Sequence, residues 1–152
     1  LRNIGEMFGC NLDSIKESYK FYTLETDITQ IYVIKSNTKM DLIISKILKI
    51  NIHPYSIGLG VAFLRRGSIL PQLGIGGHLT EICSNLISLP EGLVQKFTYG
   101  RKIRLKEKYK FKYGIVTTTL REFVGYALVK SGSYFTELHP LKDIGWYLRS
   151  GH

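Results

Sequence analysis

The stretch Arg101-Lys102-Ile103-Arg104-Leu105-Lys106-Glu107-Lys108-Tyr109-Lys110-Phe111-Lys112-Tyr113 decides how the C-terminal part of this chain is read. Every even position is basic, and the odd positions after Arg101 are Ile, Leu, Glu, Tyr, Phe and Tyr. Alternation with period two is the pattern of a half-buried β-strand, whose successive side chains point to opposite faces. Extended, the stretch carries Lys102, Arg104, Lys106, Lys108, Lys110 and Lys112 on one face and aliphatic and aromatic groups on the other. A helix would scatter the same cations around its circumference. Such a row is either a solvated strand face or a surface that meets phosphates, and the charge elsewhere in the chain favours phosphates.

Working outward, the chain has 152 residues, enough for one large domain or two small ones. Its net charge is +9, unevenly spread. Residues 1–93 hold nine Lys or Arg against eight Asp or Glu, whereas residues 94–152 hold twelve against four. That asymmetry is the footprint of a nucleic-acid or anionic-membrane partner. No apolar run reaches membrane-spanning length. Cys10 and Cys83 are far apart and in no motif, so two buried free thiols in a reducing, cytoplasmic setting are expected. The start, Leu1-Arg2-Asn3, has no Met and no secretory pattern, so residues are expected to precede it. Ser150-Gly151-His152 reads as the stub of an affinity tag, and His152 is given no function.

In the first part, Leu1, Ile4, Phe8, Leu12 and Ile15 recur at helical spacing and predict one or two helices interrupted near Gly9. Residues 19–24 and 31–35 read as a hairpin. Asn37 or Thr38 can cap a helix running to about Lys49, and His53-Pro54 ends that element. Residues 55–64 predict a strand, Arg65-Arg66-Gly67 a turn, 69–73 a returning strand and 78–86 a helix. Gly58-Leu59-Gly60 and Gly74-Ile75-Gly76-Gly77 lack a complete phosphate-loop or dinucleotide pattern and mark a bulge and a turn. Ser88-Leu89-Pro90-Glu91-Gly92 combines Pro, Gly and the charge shift, and places a domain boundary between residues 91 and 92.

Beyond it, residues 94–99 predict a short helix with Gly100 as its C′ residue. Strands are expected at 103–105, 109–119, 123–130 and 134–138, with a turn at 131–133 and a turn plus an apolar strand at the end. The fold class is therefore α+β: an N-terminal α/β domain, residues 1–91, followed by a small β pseudobarrel, residues 92–152.

Three motifs carry a family resemblance. Phe97-Thr98-Tyr99-Gly100 is similar to the Phe-Leu-Tyr-Gly signature that opens one class of PUA domains. Phe123-Val124-Gly125-Tyr126-Ala127 resembles the strand of that fold in which Gly follows an apolar pair. Asp143-Ile144-Gly145-Trp146-Tyr147-Leu148-Arg149 resembles its Asp-x-Gly-x-Tyr-hydrophobic-Arg ending. With the domain in front, the chain resembles the nuclear import protein seven family of ribosome-biogenesis factors in its short archaeal form. The resemblance is specific from Phe97 to Arg149 and weak before it. It implies a non-catalytic, monomeric, cytoplasmic RNA-binding factor of large-subunit assembly, contacting rRNA or uridine-rich single strands and pre-ribosomal proteins, with no cofactor, metal or membrane. One departure stands out: no Gly lies between Gly100 and Gly114, so either a turn forms near Glu107 without Gly or the sequence is joined across a gap.

The candidate RNA-binding residues are Arg101, Lys102, Arg104, Lys106, Lys108, Lys110, Lys112 and Arg149. Arg149 can reach a phosphate or pair with Asp143, which is expected to shape a turn. Tyr109, Phe111 and Tyr113 can stack on bases only if exposed, and their alternation with Lys favours burial instead. Arg65-Arg66 is a second candidate contact, although a solvated turn is the favoured reading of that pair. His53, His78 and His139 lack metal-ligand spacing. The alternative reading is an RNA-modifying enzyme, or its accessory subunit, that grips substrate with a PUA domain. It would need a cofactor loop or an acidic strand-end residue, and neither motif is found.

Overall fold

The structure is a computed structural model that describes residues 2–11, 19–25, 27–36, 38–52, 56–65 and 67–149. The expected roles of Leu1, Leu12, Ile15, Asn37, His53-Pro54, Tyr55, Arg66 and residues 150–152 fall outside those described. The architecture is mixed α and β with two sheets. The chain divides into two compact units, Leu12–Ile75 and a discontinuous one made of Leu1–Asn11 with Gly76–His152. The sequence reading put a boundary between 91 and 92 instead. Nothing local in the sequence shows that an N-terminal helix returns to join a unit that resumes 65 residues later.

The Leu12–Ile75 unit holds a four-stranded antiparallel sheet in chain order: β1 (Tyr19–Leu24), β2 (Thr29–Lys35), β3 (Leu59–Arg65) and β4 (Ser68–Pro71). The register slips between Ile31 and Tyr32, opposite Gly60 and Ala62, which is the bulge expected at the glycines. Helix α2 (Thr38–Lys49) buries Ile44, and its Asp41 accepts hydrogen bonds from Lys20 and Tyr22 of β1. Burial, then the nearby Asp41 charge, raises the Tyr22 phenol above its ordinary value. A 3-10 turn at Leu73–Ile75 ends the unit.

The second unit is built on a five-stranded sheet that curls into a half-barrel, in the order β5 (Leu86–Leu89), β7 (Tyr113–Thr118), β8 (Phe123–Ser131), β9 (Thr136–Asp143), β6 (Ile103–Leu105). β5 pairs parallel with β7, and the remaining pairs are antiparallel. One face buries Ile87, Leu89, Ile103, Val116, Ala127, Val129 and Leu138. Helix α4 (Glu91–Thr98) crosses this face, contacts β6 to β9 and seals it with Phe97, which is fully buried. On the opposite face, helices α1 (Arg2–Phe8) and α3 (Gly76–Ile82) pack on β7 and β8. Phe8 lies against Tyr113 and Tyr126, and Phe123 against Tyr126. A strand covered on both faces needs a continuous apolar run rather than alternation, which is what Phe123-Val124-Gly125-Tyr126-Ala127 supplies. Burial raises the Tyr126 phenol far above its ordinary value.

Several expectations are corrected here. Cys10 and Cys83 are joined in a disulfide, not free. The bond joins the residues that follow α1 and α3, beside the hydrogen bonds from Asn11 N to Ile82 O and from Ser84 N to Gly9 O. Residues 86–89 form a buried strand, not the end of a helix followed by a linker, because Ile87 and Leu89 supply core. The expected strand from 109 begins at Tyr113. The last described residues form a short helix α5 (Trp146–Arg149), not a strand.

Candidate nucleic-acid interface

The cation-rich stretch is one strand only at its start. Arg104 sits in β6 between buried Ile103 and half-buried Leu105, and residues 106–112 are irregular, with bends at Lys106, Glu107, Lys110 and Lys112. Topology explains this. β6 lies beside β9, while β7 lies on the far side of β8, so the connection must cross three strand spacings, about 14 Å. A turn thus forms near Glu107 without glycine. The in-and-out alternation nevertheless survives. Lys102, Arg104, Lys106, Lys108, Lys110 and Lys112 are exposed, as is Arg101, whereas Tyr109 and Phe111 pack on the core and against each other at 5.3 Å between ring centres. Burial raises the Tyr109 phenol, with the Glu107 charge adding to it.

This cationic crossing is tied to the tip of the β8–β9 hairpin. Ser131 Oγ donates to Tyr109 O at 2.9 Å and Val129 N to Lys112 O at 2.8 Å. The cross-strand register puts Lys130 of β8 opposite Glu137 of β9, and Glu137 opposite Arg104 of β6. Arg104 Nε donates to Glu137 Oε1 at 3.0 Å, and the ring Nε2 of His139 lies 3.1 Å from the other carboxylate oxygen. The Arg104 bond, then the His139 contact, holds the Glu137 carboxyl below the usual carboxylate range. The Arg104 guanidinium also sits 4.8 Å from the centre of the Phe135 ring, and Lys112 Nζ lies 5.5 Å from that of Tyr113. Of the alternating cations, only Arg104 has a carboxylate within ion-pair distance among the described residues.

Arg149 is engaged elsewhere. It donates to both oxygens of Asp143, at 3.0 and 2.7 Å, and Asp143 Oδ1 also accepts from Gly145 N at 2.9 Å. Asp143 is buried, so the pair is a structural clasp. All three sequence motifs meet there. A Cβ on Gly145 would lie 2.3 Å from Thr98 O, and one on Gly125 would lie 2.6 Å from Lys142 O and 2.8 Å from Asp143 Cα. Gly100 closes α4 with a positive φ, its N–H bonded to Phe97 O and that of Arg101 to Lys96 O. The motif glycines and charges thus position backbone.

Sequence reasoning missed Glu137, Lys130 and the hairpin aromatics. Strand register alone brings Glu137 beside Arg104 and Lys130 beside Glu137, and Tyr134 and Phe135 read as ordinary strand residues. Among the described residues, no cluster of three or more His, Cys, Asp or Glu could hold a metal ion. No described helix is long and apolar enough to cross a membrane. Compared with known proteins, the chain matches no family model and no curated protein.

Proposed function

We propose that this protein is a non-catalytic RNA-binding factor that contacts phosphates through the cationic crossing between β6 and β7. The observation that carries this reading is the exposure of every alternating cation from Lys102 to Lys112 while Tyr109 and Phe111 between them anchor the segment in the core. Seven consecutive residues with four lysines would repel one another in solution. Anchored on a folded body, they form a fixed counter-charge for a polyanion. About four to six phosphate contacts on a single strand release counterions with a salt slope of roughly −3 to −4.

The likeness of the three motifs to a PUA domain, and of the chain to the nuclear import protein seven family, supports large-ribosomal-subunit assembly as the setting, with rRNA as ligand and pre-ribosomal proteins as neighbours. In this reading the protein acts in the cytoplasm as a monomer, without a cofactor. The Cys10–Cys83 disulfide is of the kind oxidising compartments favour, so the cytoplasmic setting rests on the family likeness and not on the cysteines. Arg101, Lys102, Lys106, Lys108, Lys110 and Lys112 are the principal contacts, Arg104 contributes against the pull of Glu137, and Arg149 serves the fold.

Filter binding to uridine-rich, adenine-rich and duplex RNA across a salt series tests this. Changing Lys106, Lys108, Lys110 and Lys112 together to Ser should weaken binding to every RNA and make the salt slope shallower by roughly 2 to 3. Unchanged affinity in that variant would refute the assignment.

A further inference from the structure

We infer that the tip of the β8–β9 hairpin is a base-stacking platform, with Tyr134 as the ring on which an unpaired nucleobase lies, so that the ligand is single-stranded RNA. The inference rests on the phosphate reading and adds to it the part of the nucleotide that phosphates cannot specify. Tyr134 is 90% exposed, more than any other large hydrophobic side chain described, and Phe135 beside it is 40% exposed. A tyrosine held this far out at a hairpin tip contributes little to the core.

Its position is fixed from both sides. Gly132 N donates to Phe135 O at 2.9 Å and closes the turn, and Ser131 Oγ donates to the backbone between Lys108 and Lys110. The Arg104 guanidinium lies over the Phe135 ring, which presents a planar cation next to the aromatic pair. Cations on a crossing segment, with exposed rings on the hairpin tied to it, are the two elements of a single-strand site: one tracks the backbone and the other takes the base. A duplex keeps its bases stacked inside and offers no free face to such a ring.

The test uses the full chain and three probes: a uridine-rich single strand, an RNA duplex of equal length, and inorganic polyphosphate, which has charge but no base. Tyr134→Ala should weaken binding of the single strand about five- to 150-fold, the equivalent of one lost stacking contact. The salt slope should be unchanged, because no charge is removed, and duplex and polyphosphate should bind as before. Tyr134→Phe should restore single-strand affinity, since the ring and not the hydroxyl does the stacking. Wild-type single-strand affinity in Tyr134→Ala overturns the platform and leaves the phosphate reading in place. An equal loss on polyphosphate also overturns it, because the effect would then not involve a base. Unchanged affinity in the four-lysine variant overturns the phosphate reading, and the platform falls with it.

Discussion

Asp143 and Glu137 are two acids of β9 with opposite consequences for their arginine partners. Asp143 is buried, holds Arg149 by two bonds and caps Gly145 N. Arg149→Ala leaves a buried carboxylate without its counter-charge and should cost about 3 kcal/mol, the lower end of the range because Arg149 is partly exposed. Urea denaturation should show that loss, and the salt slope of RNA binding should not move. A shallower slope would return Arg149 to the RNA contacts. Glu137, in contrast, holds Arg104 at the surface. Glu137→Gln should release Arg104 to a phosphate, tightening RNA binding several-fold and steepening the salt slope by about 0.7. The pH dependence is set by the lowered Glu137 pKa. A depressed carboxyl keeps its ion pair above the ordinary carboxylate range and loses it only as pH falls through the lowered value. Arg104 should therefore stay held from neutral pH down to the ordinary carboxylate range, which an NMR titration of its Nε–H measures.

Among the elements, the β8–β9 pair packs backbone against backbone with no room for a side chain at Gly125. The register slips between Tyr126 and Ala127, and Gly125 faces Lys142 O and Asp143 Cα. Neither backbone atom can swing away, so Gly125→Ala should cost about 2 kcal/mol or more by overpacking. A thermal melt of the purified variant measures it, and a wild-type midpoint would show that β9 gives way easily. Helix α1 is held by another device. It is only seven residues long, too short to persist alone, and it stays on the sheet through Phe8, Asn85 and the Cys10–Cys83 bond. The bond spans 73 residues, and in the chain-entropy account the Cys10→Ser, Cys83→Ser double variant should lose about 4 kcal/mol. Equal unfolding midpoints for wild type with and without reductant would contradict this. Helices α1 to α4, the β1–β2 hairpin and β6 were legible from periodicity and, for α4, from Gly100 at its end, whereas α5 read as a strand. The strand at Leu86–Leu89 was not, because four apolar-patterned residues before a proline have no period long enough to separate strand from helix.

For the whole molecule, the unit containing the cationic crossing includes α1 from the far end of the chain, and residues 12–75 interrupt it in sequence. A fragment beginning near residue 94 would lack β5 and α1, and so would leave Ile87 and Leu89 missing from the core and Tyr126 uncovered by Phe8. Replacing residues 12–75 with a short Gly/Ser linker should instead give a folded protein that keeps RNA affinity within a few-fold of the intact chain. Loss of affinity in a variant shown to be folded would place part of the binding surface on residues 12–75. The sequence by itself determined the α+β composition, the cation row and its in-and-out alternation, because charge and short-range periodicity are properties of neighbouring residues. Only the tertiary structure decided that Cys10 meets Cys83, that Glu137 faces Arg104, that Arg149 is occupied by Asp143, and that the hairpin carrying Tyr134 is hydrogen-bonded to the lysine-bearing crossing. Each of those depends on which strands become neighbours, and strand order is set by burying the apolar faces of the whole sheet at once, which no local stretch of residues records.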